Sequence, residues 1–249
     1  MRDSLRGSAL PDTRSHRGPH PDDARLFGPA SWPVLREATA DLSWLLSRGY
    51  APTSALKLVG DRYQLDARQR VAVGRAACSD AERLSRAGRE IPLTALSGQT
   101  LALDGYNVLT TVEAALAGGV ILQARDQTFR DMASMHGSFR RVAETRPALQ
   151  LLGQTLEHLG VARCRWYLDR PVSNSGRLKR LMDELAQSAG WFWDVELVTS
   201  PDRALLAADC PVATADSAVL DRCSHWVNLV RQVVLSQVPN AWIVDLSGT

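Results

Sequence analysis

Three aspartates carry the chemistry that this chain can offer. Asp104 ends the short apolar run Leu101-Ala102-Leu103 and precedes Gly105-Tyr106-Asn107; Asp169 ends Cys164-Arg165-Trp166-Tyr167-Leu168; Asp216 follows the brief small-residue run Val212-Ala213-Thr214. Each run reads as a parallel strand, and open α/β sheets place their ligands beyond the carboxyl ends of such strands. All three acids are therefore expected to project from one sheet edge. Like charges brought together repel, and a carboxylate cluster is tolerated where cations share it. Oxygen ligands without a suitable His or Cys companion favour Mg²⁺ or Mn²⁺ over zinc. Such ions suit phosphodiester cleavage, one activating water and another stabilising the leaving oxygen. Asn107, Asp202 and Asp221 form a second tier, able to ligate through water or to orient the main ligands. A plainer role stays open for Asp104, that of an N-cap for a helix with Val108, Val112, Ala115 and Leu116 on its inward face.

A substrate side can be read beside Asp169. Ser173-Asn174-Ser175-Gly176 opens a helix, and its free backbone N–H groups lie close in sequence to Arg170, Arg177, Lys179 and Arg180, a phosphate-binding corner in prospect. The same residues also read as an ordinary N-cap with a solvated basic face. Other phosphate chemistries lack their motifs: there is no P-loop, no GxGxxG after a strand, and no second aspartate two residues beyond Asp104. No GxSxG supports serine hydrolysis, and Cys223 with His225 is too sparse for a zinc site.

These residues need elements to position them. Trp32-Pro33 opens a helix with Leu35, Ala38, Leu42, Leu45 and Leu46 at helical spacing, closed by Arg48-Gly49. Pro52 starts a second carrying Leu56, Leu58 and Val59; Asp66 with Gln69, and Ser79 with Glu82, form capping boxes for a third and a fourth, the third burying Val71 and Val73 or Ala76. Arg62, Arg68, Arg70, Arg75, Arg83 and Arg86 lie among these apolar positions, as a solvated face or as a module that could bind DNA. Beyond the first strand, residues 123–137 read as a loop or partly helical lid and residues 142–159 as a long amphipathic helix. Asp194-Val195-Glu196-Leu197-Val198 reads as a further strand, Ser200-Pro201-Asp202 opens a short helix, and residues 226–230 and 242–246 can be strands too. Repeated strand, acid and helix units call for a parallel sheet with helices on both faces.

The expected organisation is a disordered tail over 1–30, a small all-α domain over 31–90, a linker over 91–99 and an α/β domain over 100–249. Net charge is only +2, with ten basic and seven acidic residues over 31–99 and fourteen and sixteen over 100–249, so no global field argues for nucleic acid. No apolar run spans a bilayer, the opening residues lack the apolar core of a signal peptide, and four cysteines without CxxC spacing suit reduced thiols. A cytoplasmic protein without a membrane partner is the expectation.

Asp104-Gly105-Tyr106-Asn107-Val108-Leu109 resembles the opening strand signature of PIN-like nucleases, especially the NYN and YacP branch. Ala213-Thr214-Ala215-Asp216-Ser217 is similar to the late strand of that superfamily, where a further metal-binding acid sits, and Asp169 and Asp202 match its intermediate acids. The likeness covers about Leu101 to Leu246; Ala215, often serine there, and Arg170-Pro171 after Asp169 depart from the pattern. Residues 42–83 resemble a small helical domain of unknown function fused to such proteins. The resemblance implies a PIN-like α/β fold and a metal-dependent ribonuclease, with RNA as partner, Asp104, Asp169 and Asp216 as metal ligands, and Asn107, Asp202 and Asp221 in support. It equally admits a catalytically inactive RNA-binding or protein-interaction module, since fold does not fix function.

Overall fold

A computed structural model describes residues 17–132 and 139–248. Its first part is helical: α1 (Asp23–Leu26), α2 (Trp32–Ser47), α3 (Pro52–Arg62), α4 (Ala67–Ala76) and α5 (Asp80–Ala87). Proline stands in the first turn of α2 and α3, and both capping boxes form, Asp66 with Gln69 on α4 and Ser79 with Glu82 on α5. Leu35, Ala38, Leu42 and Leu45 of α2 are buried as the periodicity requires, whereas one apolar residue named for α3 and one for α4 face outward. Leu58 is 59% exposed while Ala55 and Val59 are buried, and α4 buries Ala72, Val73 and Ala76 with Val71 turned outward. Val59, Val73 and Ala76 keep their expected inward places.

Residues 17–30, expected as the end of a disordered tail, are part of this core. Leu26 and Phe27 are buried with α2 and α4, and Arg68 makes a bidentate pair with the fully buried Asp23 at 2.6 and 2.9 Å. The expected linker over 91–99 is also packed: Leu96 is buried in a 3₁₀ turn, and the Ile91 amide donates to the Trp226 carbonyl.

The second part alternates strands and helices: β1 (Thr100–Asp104), α6 (Gly105–Leu116), β2 (Val120–Gln123), β3 (Phe129–Asp131), α7 (Thr145–His158), β4 (Arg163–Asp169), α8 (Ser175–Ala189), β5 (Trp193–Val198), α9 (Pro201–Leu206), β6 (Val212–Ala213), α10 (Ser217–Leu220), β7 (Trp226–Val227), α11 (Leu229–Gln237) and β8 (Trp242–Asp245). Five strands form a parallel sheet in the order β5-β4-β1-β6-β7. Leu101 and Leu103 pack with Trp166 and Leu168 against α6, α7, α8 and α11, whereas Ala102 and Tyr167 face Leu205, Val219 and Leu220 of α9 and α10. Helices thus cover both faces, as the repeated units required.

A second sheet was not anticipated. The stretch expected as a loop or lid contains β3 and the turn that pairs it with β2, and β8 pairs with β2 instead of extending the main sheet, giving the order β3-β2-β8. The part of that stretch from 133 to 138, with His136, lies outside the described residues. Val120, Leu122, Val244 and Leu246 of this small sheet share one core with the N-terminal helices. The helical part therefore packs on strands from beyond the boundary at residue 100. No helix among the described residues is long and apolar enough to cross a membrane.

Candidate functional site

Strand alternation fixes which face the acids take. Ala102 and Tyr167 belong to the face covered by α9 and α10, so Asp104 and Asp169, each two residues further along its strand, come to that same face. In the register, Asp104 lies opposite Tyr167 and Leu103 opposite Ala213, which brings the next residue, Thr214, level with Asp104. The Thr214 hydroxyl donates to Asp104 Oδ2 at 2.9 Å and accepts from the Asp216 amide at 3.0 Å. One side chain thus ties the opening acid to the late one.

Asp104 and Asp216 are both helix caps and members of the acid group. The Asn107 amide donates to Asp104 Oδ1 at 3.4 Å at the start of α6, and Asp216 Oδ1 accepts from the Ala218 and Val219 amides at the start of α10. The capping role anticipated for Asp104 is realised, and it leaves the residue at the sheet edge, because a residue ending a strand and beginning a helix faces that edge by construction. Gly105 makes the turn possible: a Cβ there would stand 2.5 Å from Leu168 Cδ2 and 2.9 Å from the Tyr167 carbonyl oxygen.

Electrostatics shows the acids to be neighbours. Burial, with Asp216 and Asp202 adding to it, pushes the Asp104 carboxyl up to about 7, against the opposing hydrogen bonds from Thr214 and Asn107. Asp202, in the first turn of α9, is raised by burial and then by Asp216 and Asp169, with Arg222 opposing. Asp169 Oδ1 is buried without a hydrogen-bond partner, and so is the hydroxyl of Tyr106, which burial and Asp169 together push up to about 12. Tyr106 itself packs against Phe139, with ring centroids 5.3 Å apart.

The structure brings Asp104, Asp169, Asp202 and Asp216 to one edge; it gives Asn107 and Asp221 other work. Asn107 Oδ1 accepts from the Ala215 amide at 2.8 Å, latching α6 to the late loop. Asp221 is held by Arg86 of α5 through two bonds of 2.7 and 3.0 Å, so its carboxylate is committed to an ion pair between the two parts of the chain. The sequence signal for Thr214 is its place two residues before Asp216, directly after β6.

The expected phosphate-binding corner is largely self-satisfied. Asn174, in the left-handed conformation at φ 69°, precedes α8 and spends its amide on the Phe139 carbonyl, while Ser175 donates to the Arg170 carbonyl. Arg170 donates to the Leu197 carbonyl, Lys179 pairs with Asp183, and Arg180 donates weakly to the Gly176 carbonyl. Ser173, through its carbonyl, accepts from the Phe139 amide. Arg177 stays exposed beside them. Among the arginines of the helical part, Arg62 faces Asp41, Arg68 Asp23, Arg70 Asp61, and Arg86 both Asp126 and Asp221, while Arg75 donates to the Asp131 carbonyl. Five of the six arginines are thus engaged within the protein, Arg86 in burial and Arg62 at the surface.

Among the described residues, no three His, Cys, Asp or Glu side chains form a group that could hold a metal ion as they stand. The donor set is nonetheless of the kind a hard divalent cation takes: the neighbouring acids offer oxygen donors only, and Asp169 Oδ1 has no hydrogen-bond partner. Asp169, Asp216 and Asp104 would be the residues to hold it.

Residues 93–232 match the family model described as Domain of unknown function (DUF5616), and residues 34–89 match that of Protein of unknown function (DUF434). The chain is 28% identical over 202 residues to a Methanocaldococcus jannaschii relative named "Uncharacterized protein MJ0935", covering 80% of this chain and 96% of the relative. No solved structure matches.

Proposed function

We propose that this chain, which belongs to the family described as Domain of unknown function (DUF5616), is a divalent-cation-dependent phosphodiesterase that cleaves RNA, an endoribonuclease of PIN-like type. The observation that carries this reading is the gathering of Asp104, Asp169, Asp202 and Asp216 at the carboxyl edge of one parallel sheet, with Asp104 raised to about 7 by burial and by its acidic neighbours. Acids so placed are poorly stable without a cation, and Mg²⁺ or Mn²⁺ would supply Lewis-acid activation of water and of the leaving oxygen. The chain's own residues have simpler tasks. Asp169 offers an unpartnered oxygen to the ion, Asp216 has its second oxygen outside the α10 cap, and Thr214 holds Asp104 and Asp216 in register.

Incubation of the purified protein with end-labelled RNA and Mn²⁺ tests this. Cleavage is expected from the natural chain and is expected to fall at least 100-fold in Asp169→Asn and Asp216→Asn. Equal activity in the variants refutes the assignment. A second reading, an RNA-binding or protein-interaction module without turnover, is favoured by the lack of a closed three-ligand group among the described residues. Filter binding that shows RNA affinity with no Mn²⁺-dependent cleavage would select it.

A further inference from the structure

The loop that delivers Asp216 is gripped from outside the sheet. Ala215 is held at both ends of its backbone, its amide donating to Asn107 Oδ1 and its carbonyl accepting from Arg130 Nε at 2.8 Å. Arg130 also reaches Ser217 Oγ at 3.3 Å, the Arg75 carbonyl at 2.6 Å and Asp126 Oδ2 at 2.7 Å. The Asp126 side chain is fully buried; Arg130 and Arg86 converge on its Oδ2, and Thr128 caps its Oδ1 through both amide and hydroxyl. Arg86, 2% exposed, continues to Asp221 at the far end of α10. Two arginines and two aspartates thus balance their charges in a chain running from α4 and α5 through the β2–β3 hairpin to both ends of the segment that Asp216 begins. Burial opposes the Asp126 charge, but Arg130, Thr128 and Arg86 hold its carboxyl below the usual range.

We propose that Arg130, anchored by Asp126 and Arg86, is the positioning residue of the carboxylate edge, and that the N-terminal helical part serves as a strut fixing Asp216 against Asp104. Arginine is required because its planar fork serves four acceptors on three different segments, which a lysine ammonium at the end of a flexible stem cannot match. The proposal rests on reading that edge as a cation-binding site, and one of its two measurements is independent of any cation.

The first measurement is amide hydrogen exchange of the full chain in EDTA, comparing the natural protein with Arg130→Lys and Arg86→Lys. Exchange of the Ala215, Ala218 and Val219 amides is expected to quicken at least 10-fold in Arg130→Lys, with the α2 and β4 amides unchanged. The second is Mn²⁺ affinity by titration, expected to weaken at least 10-fold in Arg130→Lys and to hold in Leu58→Ala, an exposed position of α3 outside the chain of ion pairs. Natural exchange rates at those three amides in folded Arg130→Lys overturn the proposal, and so does uniform acceleration across the protein. If Arg130→Lys does not fold, Arg86→Lys decides by the same amides. Absence of Mn²⁺ binding by the natural protein would refute the function proposed above while the exchange result still decides the role of Arg130.

Discussion

Replacing Asp104 by asparagine should make the metal-free protein more stable, and by an amount that grows with pH. In the folded chain burial, helped by Asp216 and Asp202, raises the carboxyl from 3.8 to about 7. A group whose proton affinity rises on folding contributes stability that is complete below the unfolded pKa, here about 3.8, and is lost as pH climbs through the folded value near 7. Between pH 5 and pH 8 the natural protein therefore loses about two pKa units' worth of this stabilisation, roughly 2–3 kcal/mol. The asparagine side chain carries no charge at either pH, and the hydrogen bond it forfeits to Thr214 or Asn107 costs about 1 kcal/mol at both, so it cancels from the pH comparison. Urea unfolding in EDTA at the two pH values measures the difference. The stability of Asp104→Asn relative to the natural protein should rise by roughly 2–3 kcal/mol from pH 5 to pH 8. A difference that moves by less than about 0.5 kcal/mol would show that Asp104 is not buried among like charges and would remove the electrostatic basis of the site. Saturating Mn²⁺ at pH 8 should offset most of that difference, since a ligand at about 100 times its Kd adds roughly 2.7 kcal/mol to the form that binds it.

Three other outcomes follow from the same geometry. Thr214→Val keeps the shape but removes the hydroxyl shared by Asp104 and the Asp216 amide; a ¹³C NMR titration should place the Asp104 carboxyl above its natural value, and stability at pH 8 should fall by about 1–3 kcal/mol. Gly105→Ala should cost about 1–3 kcal/mol in thermal unfolding, because the new Cβ has the Tyr167 backbone oxygen and not only a side chain in its way. Phe27→Ala should cost about 3–5 kcal/mol, against under about 0.5 kcal/mol for an exposed tail position, since the ring is fully buried between the N-terminal segment and the helical core.

Much of the architecture lies in local rules that a sequence obeys wherever it folds. The 3.6-residue period put Leu35, Ala38, Leu42 and Leu45 on one face of α2, Ser79 with Glu82 started α5, and Gly190, in the left-handed conformation, ended α8. Alternation along β1 and β4 likewise determined that Asp104 and Asp169 share a face. What the sequence left undecided depends on partners far along the chain. Nothing local tells that β8 leaves the main sheet for β2, since an apolar run such as Trp242–Asp245 satisfies either edge. Nor does spacing reveal that Asp221, 135 residues from Arg86, is its ion-pair partner, or that the charges of the β2–β3 hairpin are buried. A charged residue is compatible with solvent, a metal or a buried counter-charge, and only the tertiary packing, by removing water and supplying the counter-charge, selects among them. Local spacing put the acids at the ends of neighbouring strands; the packing of distant segments committed Asp221 to Arg86 and left Asp169 Oδ1 without a hydrogen-bond partner.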